Sequence, residues 1–306
     1  MSETSTEHAI YSDIEALLAI RFHVKRRRLT SQQKLLSSQG GYHQAIRKGR
    51  GMEFNEVREY TPGDDIRHID WKVSARTQKI HTKLFTEELE QPVICLVEQT
   101  PKLFFGSRIR FKSVQALNIA SALAWVTVQQ GDRFGGYVFN PRAHHWVEPK
   151  HQQTAVTRFL HACLDLQKQV TSPTGMETDW ISHLAALQHH IKGGSRLFLI
   201  GDFLDMPSAF HQQLIQLKKR ADITLIHLFD PIEKSLPAKG LLQLTDGQQQ
   251  LNIDTDTSEQ NQLYQVNYQR SWQALSETCN AGHIPLVEVS SQADPVQALI
   301  TQKVIY

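Results

Sequence analysis

The stretch SRLFLIGDF, residues 195–203, decides the fold class of this chain. It is a short apolar run after the helix-ending pair Gly193-Gly194, which is typical of a strand buried on both faces. PVICLVE at 92–98 has the same character. Further strands are predicted at RFGGYVFN, HHWVEP, ITLIHLFD and IPLVEVS, and helices at 114–126, 151–168, 178–191, 207–220, 257–281 and 294–303. This alternation predicts an α/β domain with a mostly parallel sheet and helices on both faces.

The first 90 residues lack this alternation. Ile14, Leu17, Leu18 and Phe22 recur at helical spacing, and later residues predict the short strands GMEFNEVREY, IRHIDWKVS and KIHTKLFTEE, with turns between them. We therefore expect an N-terminal helical and β-rich segment at 1–90 and the α/β domain at 91–306. The polar stretch 243–262 predicts a surface hairpin or loop.

Composition limits the class of protein. The chain has 306 residues, with 33 Lys and Arg against 31 Asp and Glu, which excludes a generally basic nucleic-acid coat and an acidic disordered tail. No apolar run reaches the roughly 18 residues of a membrane-spanning helix, so no transmembrane segment is predicted. The N-terminus does not resemble a secretory signal. Three widely spaced cysteines fit a reducing compartment, and we expect a cytoplasmic protein.

One segment departs from this charge balance. Residues 16–52 contain nine Lys and Arg residues and no Asp or Glu. Such a segment can bind nucleic acid or an anionic membrane, and this is the alternative function that the sequence offers. The other interpretations are an exposed helix face that balances the acidic remainder, or a docking site for an acidic protein; nucleic acid is the less favoured partner.

Polar side chains follow two of the predicted strands. Glu98, Thr100 and Lys102 come after the strand at 92–98, and Asp202 comes after the strand at 195–201. Ligands of open α/β sheets sit beyond the carboxyl ends of the strands, so these side chains are candidates for a shared site. Carboxylates and hydroxyls there can hold Mg²⁺, or they can cap helices.

A second polar block lies between residues 51 and 76. Its charged residues are candidates for a rigid docking platform: Arg58, Asp64, Asp65, Arg67, Asp70 and Arg76. The carboxylates of Asp64 and Asp65 suggest either acid–base chemistry or a turn whose side chains accept backbone amides and pair with arginines; the turn is the interpretation that we prefer. The sequence contains no GxSxG and no GxxxxGK[ST] motif, and we expect no enzymatic activity.

Several of these stretches together resemble a known family. They are GRGMEFNEVREYTPGDDIRHIDWKVSAR at 49–76, GDRFGGYVF at 131–139, LIGDFLD at 199–205 and HLFDPIEKSLPAKG at 227–240. They are similar to the domain-of-unknown-function-58 family, whose members contain a von Willebrand factor A-like domain. The resemblance covers most of residues 40–300. It implies a von Willebrand A-like α/β fold, and a role as a protein-interaction adaptor or co-chaperone of a MoxR-type AAA+ ATPase and its client.

The resemblance also implies a metal-ion-dependent adhesion site, from which this chain departs. The expected Asp-x-Ser-x-Ser positions hold Glu98, Thr100 and Lys102, and the expected Ser-Asp pair is Gly201-Asp202. The family's loop threonine corresponds to Thr178 or equally to Thr174. A lysine ammonium has no acceptor and repels a cation.

We therefore expect a degenerate site without a metal or other cofactor. Lys102 is expected to pair with Glu98 or Asp202. In the alternative, Lys102 points to solvent and Glu98, Thr100 and Asp202 bind Mg²⁺ weakly. Either way, we expect a partner-binding rim formed by Glu98, Thr100, Lys102, Thr178 and Asp202.

Overall fold

The centre of the structure, a computed structural model, is a six-stranded sheet. The residues that it describes are 9–38, 53–61, 64–86, 91–170, 179–234, 241–245, 250–254 and 258–306. The strands are β1 Glu53–Glu59, β2 His81–Thr86, β3 Val93–Glu98, β4 Phe134–Phe139, β5 His144–Lys150, β6 Ser195–Gly201, β7 Ala221–Phe229, β8 Leu241–Thr245, β9 Gln250–Asp254 and β10 Leu286–Ser290.

Helices separate most of these strands. They are α1 Ile14–His23, α2 Gln32–Ser38, α3 Trp71–Thr77, α4 Lys112–Gln129, α5 Gln153–Gln169, α6 Trp180–His190, α7 Ser208–Lys218, α8 Pro231–Lys234, α9 Ser258–Ala281 and α10 Pro295–Thr301. Short 3-10 helices lie at Ile66–His68 and Pro101–Leu103. The chain divides into two units, one formed by residues 1–42 and 92–306 and the other by residues 43–91.

The sheet of the larger unit is mostly parallel, as the sequence predicts. Its strand order is β10-β7-β6-β3-β4-β5, and only the β4–β5 pair is antiparallel. β3, β4 and β6 are buried along their whole length, which explains their continuous apolar sequences. The mostly parallel sheet expected of a von Willebrand A-like domain is therefore confirmed.

Helices cover both faces of this sheet, and each face has its own apolar core. On one face, α1, α4, α5 and α10 contribute Leu17, Leu123, Phe159 and Leu299. On the other face, α6, α7 and α9 contribute Leu184, Leu187, Phe210, Leu214 and Leu275. The predicted two-sided arrangement is confirmed. In the polar stretch 243–262, β8 and β9 pair as an antiparallel hairpin, as expected.

The N-terminal helices belong to the sheet-containing unit. α1 lies along α4, where Ser121 Oγ donates to Leu17 O at 2.7 Å. After α1 the chain pairs with the C-terminal segment, with Leu29 opposite Ile305. The predicted division at residue 90 grouped these helices with the β-rich segment. The structure groups them with the sheet because α4 is buried nearly all round and α1 covers one of its sides.

The smaller unit contains the antiparallel pair β1–β2. Between these strands, the sequence predicts a strand at IRHIDWKVS, and this prediction is wrong: the segment forms the 3-10 helix Ile66–His68 and α3. The Asp70 side chain accepts hydrogen bonds from the amides of Lys72 and Val73, both at 3.1 Å. An aspartate at this position stabilises the start of a helix. This stabilisation has a larger effect than the weak alternation of apolar and polar residues, which favours a strand.

The contact between α1 and α4 can be tested by substitution. We expect Leu17→Ala to lower the free energy of unfolding by about 2–5 kcal/mol, because Leu17 is fully buried in the core. Urea denaturation measures the change. Leu263→Ala is the control, because Leu263 is largely exposed and should change stability by less than about 0.5 kcal/mol. Equal effects of the two substitutions would contradict the placement of α1 in the core.

Candidate functional site

The predicted rim residues of β3 and β6 meet at the carboxyl end of the sheet. Glu98 is the last residue of β3, and Asp202 directly follows β6. The two strands are parallel neighbours, so their ends lie at the same edge. The N-terminus of α4 reaches this edge with Lys112, and the loop after β7 reaches it with Asp230. Thr178 and Thr174 lie outside the described residues.

Glu98 is buried and holds the ends of both strands together. Its Oε1 accepts from Thr100 Oγ1 at 2.6 Å, and its Oε2 accepts from the Asp202 amide at 3.0 Å. Burial raises the pKa of Glu98 to about 7, although Lys102 and the hydrogen bond from Thr100 oppose this shift. The two oxygens of Glu98 are therefore occupied within the protein.

Gly201 explains how the longer glutamate fits. A Cβ at position 201 would lie 2.5 Å from Glu98 Oε2, closer than a carbon and an oxygen can approach without displacement. A serine there, as in the pattern that the resemblance implies, would collide with the glutamate. The glutamate at position 98 and the glycine at position 201 therefore compensate for each other in size.

Asp202 is buried between two ammonium groups. Its Oδ2 lies 2.8 Å from Lys112 Nζ, and its Oδ1 lies 3.3 Å from Lys102 Nζ. Burial acts to raise its pKa, but Lys112 and Lys102 outweigh burial and hold the pKa of Asp202 below its usual range. Asp202 is therefore a carboxylate that is already neutralised by charges of the protein.

Lys112 belongs to this site, although nothing in the sequence indicates it. Its side chain is fully buried, and Nζ lies 2.6 Å from Glu233 Oε1 as well as 2.8 Å from Asp202 Oδ2. Burial alone would lower the pKa of Lys112, but the two carboxylates raise it above the usual range. Glu233, on α8, also accepts from the Asp230 amide at 2.7 Å. A lysine at a helix start gives no sequence signal for such burial.

The Lys102 side chain extends from the loop after β3 and contacts the loop after β6. Its Nζ donates to Leu204 O at 2.6 Å and lies beside the Asp202 carboxylate. Its side chain remains 38% exposed. Of the two partners considered from the sequence, the ammonium pairs with Asp202. Lys102 is thus a cation held at the surface by fixed acceptors.

Two further buried groups complete this end of the sheet. Asp230 accepts from Ser107 Oγ and Ser291 Oγ, both at 2.6 Å, and so joins the loops after β3, β7 and β10. His227 accepts at Nδ1 from the Phe203 amide at 3.3 Å. Burial is the largest cause that lowers the pKa of His227, and the nearby lysines lower it further. The pKa falls to about 4 although Asp202 acts to raise it.

The side chains at this edge do not form a suitable set of ligands for a divalent cation. Glu98 is occupied by Thr100 and the backbone, and Asp202 is occupied by two ammonium groups. An ammonium at 2.8 Å from the carboxylate would repel an ion bound there. Within the described part of the chain, no group of three or more His, Cys, Asp or Glu side chains is placed to hold a metal.

The smaller unit holds the second predicted site. Arg58 forms an ion pair with Asp64 at 2.7 Å, and Arg67 forms one with Asp65 at 2.9 Å. Asp64 also accepts from the Thr61 amide at 2.9 Å, and this backbone bond, with help from Arg58, lowers the pKa of Asp64. These contacts agree with the turn interpretation of the two carboxylates.

The helix of this unit carries the remaining platform residues. Asp70 caps α3, while Arg76 is exposed in its last turn. Trp71, the first residue of α3, is 69% exposed. Fixed charges beside an exposed tryptophan are typical of a protein-binding surface. The platform therefore stays a predicted docking surface.

The fold is an α/β domain with a closed network of charges at the carboxyl end of its sheet. The chain belongs to the family described as protein of unknown function DUF58, whose model matches residues 56–277. The uncharacterized proteins Mb1516 of Mycobacterium bovis and Rv1480 of Mycobacterium tuberculosis are each 28% identical over 224 residues, which span 72% of this chain and 68% of theirs.

Solved structures also show similarity. The conserved hypothetical protein BatB from Bacteroides thetaiotaomicron is 12% identical with a TM-score of 0.45, covering 70% of this chain and 97% of its own. The VWA domain of SpRpn10 is 11% identical with a TM-score of 0.39, covering 70% and 95%. A von Willebrand factor type A protein from Catenulispora acidiphila is 10% identical with a TM-score of 0.39, covering 74% and 43%.

The fit between Glu98 and Gly201 predicts a coupled pair of substitutions. We expect Gly201→Ala to destabilise the protein by about 1–3 kcal/mol, because the new methyl group meets Glu98 Oε2. Adding Glu98→Asp shortens the carboxylate, so the double variant should be more stable than the sum of the single effects by about 1 kcal/mol. Urea denaturation of all four proteins measures this coupling.

The control for this cycle is Gly193→Ala. A Cβ at Gly193 meets nothing within 4 Å, so this change should alter stability by less than about 0.5 kcal/mol. Strictly additive effects at positions 98 and 201 would contradict the compensation.

The raised pKa of Glu98 predicts a pH-dependent contribution to stability. Between its usual value of 4.5 and about 7, native Glu98 keeps a proton that the unfolded chain has lost. This group's contribution therefore decreases as the pH rises through that window, by roughly 3 kcal/mol in total. Glu98→Gln removes the titration, so the stability of the wild type relative to the variant should decrease from pH 4.5 to 7.

The measured quantity is the difference in the free energy of unfolding between the wild type and Glu98→Gln at each pH. This difference is needed because the titration of His227 changes stability in the opposite direction. Its lowered pKa makes stability increase as the pH rises between about 4 and 6.5. The same substitution at the exposed Glu277 is the control and should give no such difference. A pH-independent difference at Glu98 would show that this carboxyl ionises normally.

Proposed function

We propose that this protein is a non-enzymatic interaction module whose partner surface is the carboxyl end of the sheet. The observation that carries the proposal is the Lys112 ammonium, which is fully buried between Asp202 and Glu233. It supplies the positive charge that a metal ion would otherwise supply at this edge. The surface is therefore assembled without a metal, as a degenerate form of the metal-ion-dependent adhesion site.

Burial of the titratable groups supports a non-enzymatic role. Glu98 and Asp202 are almost fully buried, and His227 is completely buried. General acid–base catalysis needs such groups within hydrogen-bond reach of a substrate. Here their bonds are made to neighbouring residues of the same chain, which supports a structural role for the cluster.

Lys102 is the group through which we propose that the rim binds a partner. Its ammonium is partly exposed and is held by Leu204 O at 2.6 Å, so little side-chain freedom is lost on binding. Lys112 shares the neutralisation of Asp202, which leaves Lys102 able to attract an acidic side chain from a partner. Glu98 and Thr100, which are hydrogen-bonded to each other, form the buried base of this rim.

Membership of the DUF58 family supports the identity of the partner. We propose that the protein acts as an adaptor or co-chaperone of a MoxR-type AAA+ ATPase, which remodels a client protein. The ATPase would supply nucleotide hydrolysis, since the sequence of this chain has no phosphate-binding loop. The exposed platform around Trp71 offers a second surface for the client or the ATPase.

Affinity capture tests this proposal. The tagged full chain is recovered from its native lysate with and without a slowly hydrolysed ATP analogue, and bound proteins are identified by mass spectrometry. We expect a MoxR-type ATPase in an amount that depends on nucleotide, and no effect of EDTA in the samples without nucleotide. Lys102→Glu should reduce its recovery by about tenfold or more, because it reverses the fixed charge at the rim.

The control variant is Lys150→Glu, which makes the same charge change at an exposed position on β5. Lys102→Gln removes the charge without adding a repulsive one and guards against misfolding, and melting temperatures confirm that each variant folds. Absence of an ATPase under both nucleotide conditions would refute the partnership. Undiminished recovery with Lys102→Glu would refute the rim.

A further inference from the structure

The amino ends of the parallel strands lie at the opposite edge of the sheet from the proposed rim, and the described segments before three of these strands are basic. The segments immediately before β4, β6 and β7 supply five cations: Arg133, Lys192, Lys218, Lys219 and Arg220. The acidic residues beside them are Asp132 and Asp222, and Asp222 forms an ion pair with Lys218 at 3.2 Å. Among the described residues of these three segments, cations therefore exceed carboxylates.

The basic N-terminal segment is attached to this same edge. α1 runs beside α4 towards it, since Gln129, the last residue of α4, donates to Arg21 O at 3.1 Å. Beyond α1, Gln32 Nε2 donates to Ile223 O at 2.7 Å, and the Arg196 guanidinium donates to Thr30 O. Arg196 and Ile223 stand near the starts of β6 and β7.

The segment therefore adds its own cations to the basic edge. Exposed there are Arg21, Lys25, Arg26, Arg28 and Lys34. Together with the cations before β4, β6 and β7, they form what we call the basic face. Half of its ten members lie outside residues 16–52, so the face is a product of the fold and extends beyond that segment.

Two aromatic side chains project from the basic face. Phe22 is 53% exposed, with the Arg21 guanidinium 4.5 Å and the Lys25 ammonium 5.3 Å from its ring centre. Tyr306 is 58% exposed, with the Lys34 ammonium 6.0 Å from its ring centre. The amide of Tyr306 donates to Arg28 O at 3.0 Å, so both rings belong to the same surface.

We propose that the basic face docks this protein onto an anionic lipid bilayer. Lysine and arginine are attracted to acidic headgroups, and aromatic rings flanked by cations partition into the interfacial region. The contact would be peripheral; among the described residues, no helix is long and apolar enough to cross a membrane. This inference does not depend on the identity of any protein partner.

The arrangement at Phe22 favours a bilayer over nucleic acid. Single-stranded nucleic acids bind by stacking their bases on exposed aromatic faces. Two cations already lie against the Phe22 ring, and a base that stacked on the face they cover would have to displace them. A bilayer needs only that the ring enter the headgroup layer while its cations contact phosphates.

Docking in this way would orient the molecule. The carboxyl ends of β3, β6 and β7 lie opposite the basic face, so the rim around Lys102 would point away from the bilayer. A partner could then reach the rim from the aqueous side while the protein is bound to the membrane.

Vesicle co-sedimentation of the purified full-length protein tests the proposal. One set of vesicles is pure phosphatidylcholine, and the other contains about one third phosphatidylserine. We expect binding to the anionic vesicles alone, decreasing steeply between about 50 and 500 mM salt. The double variant Lys25→Glu/Arg28→Glu should bind about tenfold less, since it reverses two charges within the face. Phe22→Ser should bind about threefold less with no change in charge.

The matched control is Arg108→Glu/Arg142→Glu, which reverses two exposed arginines outside the basic face and should bind like the wild type. Equal binding to neutral vesicles, no binding at low salt, or an equal loss in the control would overturn the proposal. A single-stranded oligonucleotide is added as a competitor. If it binds more tightly and displaces the vesicles, the basic face is a nucleic-acid site and the lipid assignment is overturned.

Discussion

The carboxyl end of this domain depends on one buried charge, the Lys112 ammonium between Asp202 and Glu233. Burying a lysine is costly unless carboxylates surround it, and burying two carboxylates is equally costly without a cation. Each group therefore requires the others. Because Lys112 begins α4, Asp202 follows β6 and Glu233 lies on α8, the ion pairs also join three separate elements. The network stabilises one arrangement of these ends over alternatives that would leave a charge unpaired.

Glu98 and Gly201 complete the same edge. The buried Glu98 carboxyl needs hydrogen-bond donors, and it finds them in Thr100 and the Asp202 amide. Its extra methylene requires the space that Gly201 leaves. Lys102 then lies over Asp202 with its ammonium partly in solvent. The charges at this edge are therefore balanced by groups of the chain itself.

The sequence predicts the sheet well because its strands are buried on both faces. Continuous apolar runs such as 195–201 have few other interpretations between helices. IRHIDWKVS is mispredicted because a single cap, Asp70, decides its structure. The role of Lys112 escapes prediction for a different reason: its partners lie 90 and 121 residues away along the chain. Nothing local distinguishes it from an exposed lysine at a helix start, whereas Lys102 and Asp202 are found because they follow predicted strands.

The two ends of the sheet differ in chemistry for a topological reason. Parallel strands place all their carboxyl ends at one edge, where loops collect Glu98, Asp202 and Asp230. The helices return the chain to the other edge, where it carries the cations before β4, β6 and β7. α1 runs parallel to α4 and so delivers the N-terminal arginines to that same edge. A net charge of only +2 thus conceals a concentration of exposed cations at one edge, whereas the carboxylates Glu98, Asp202 and Asp230 at the other edge are buried and bonded within the protein.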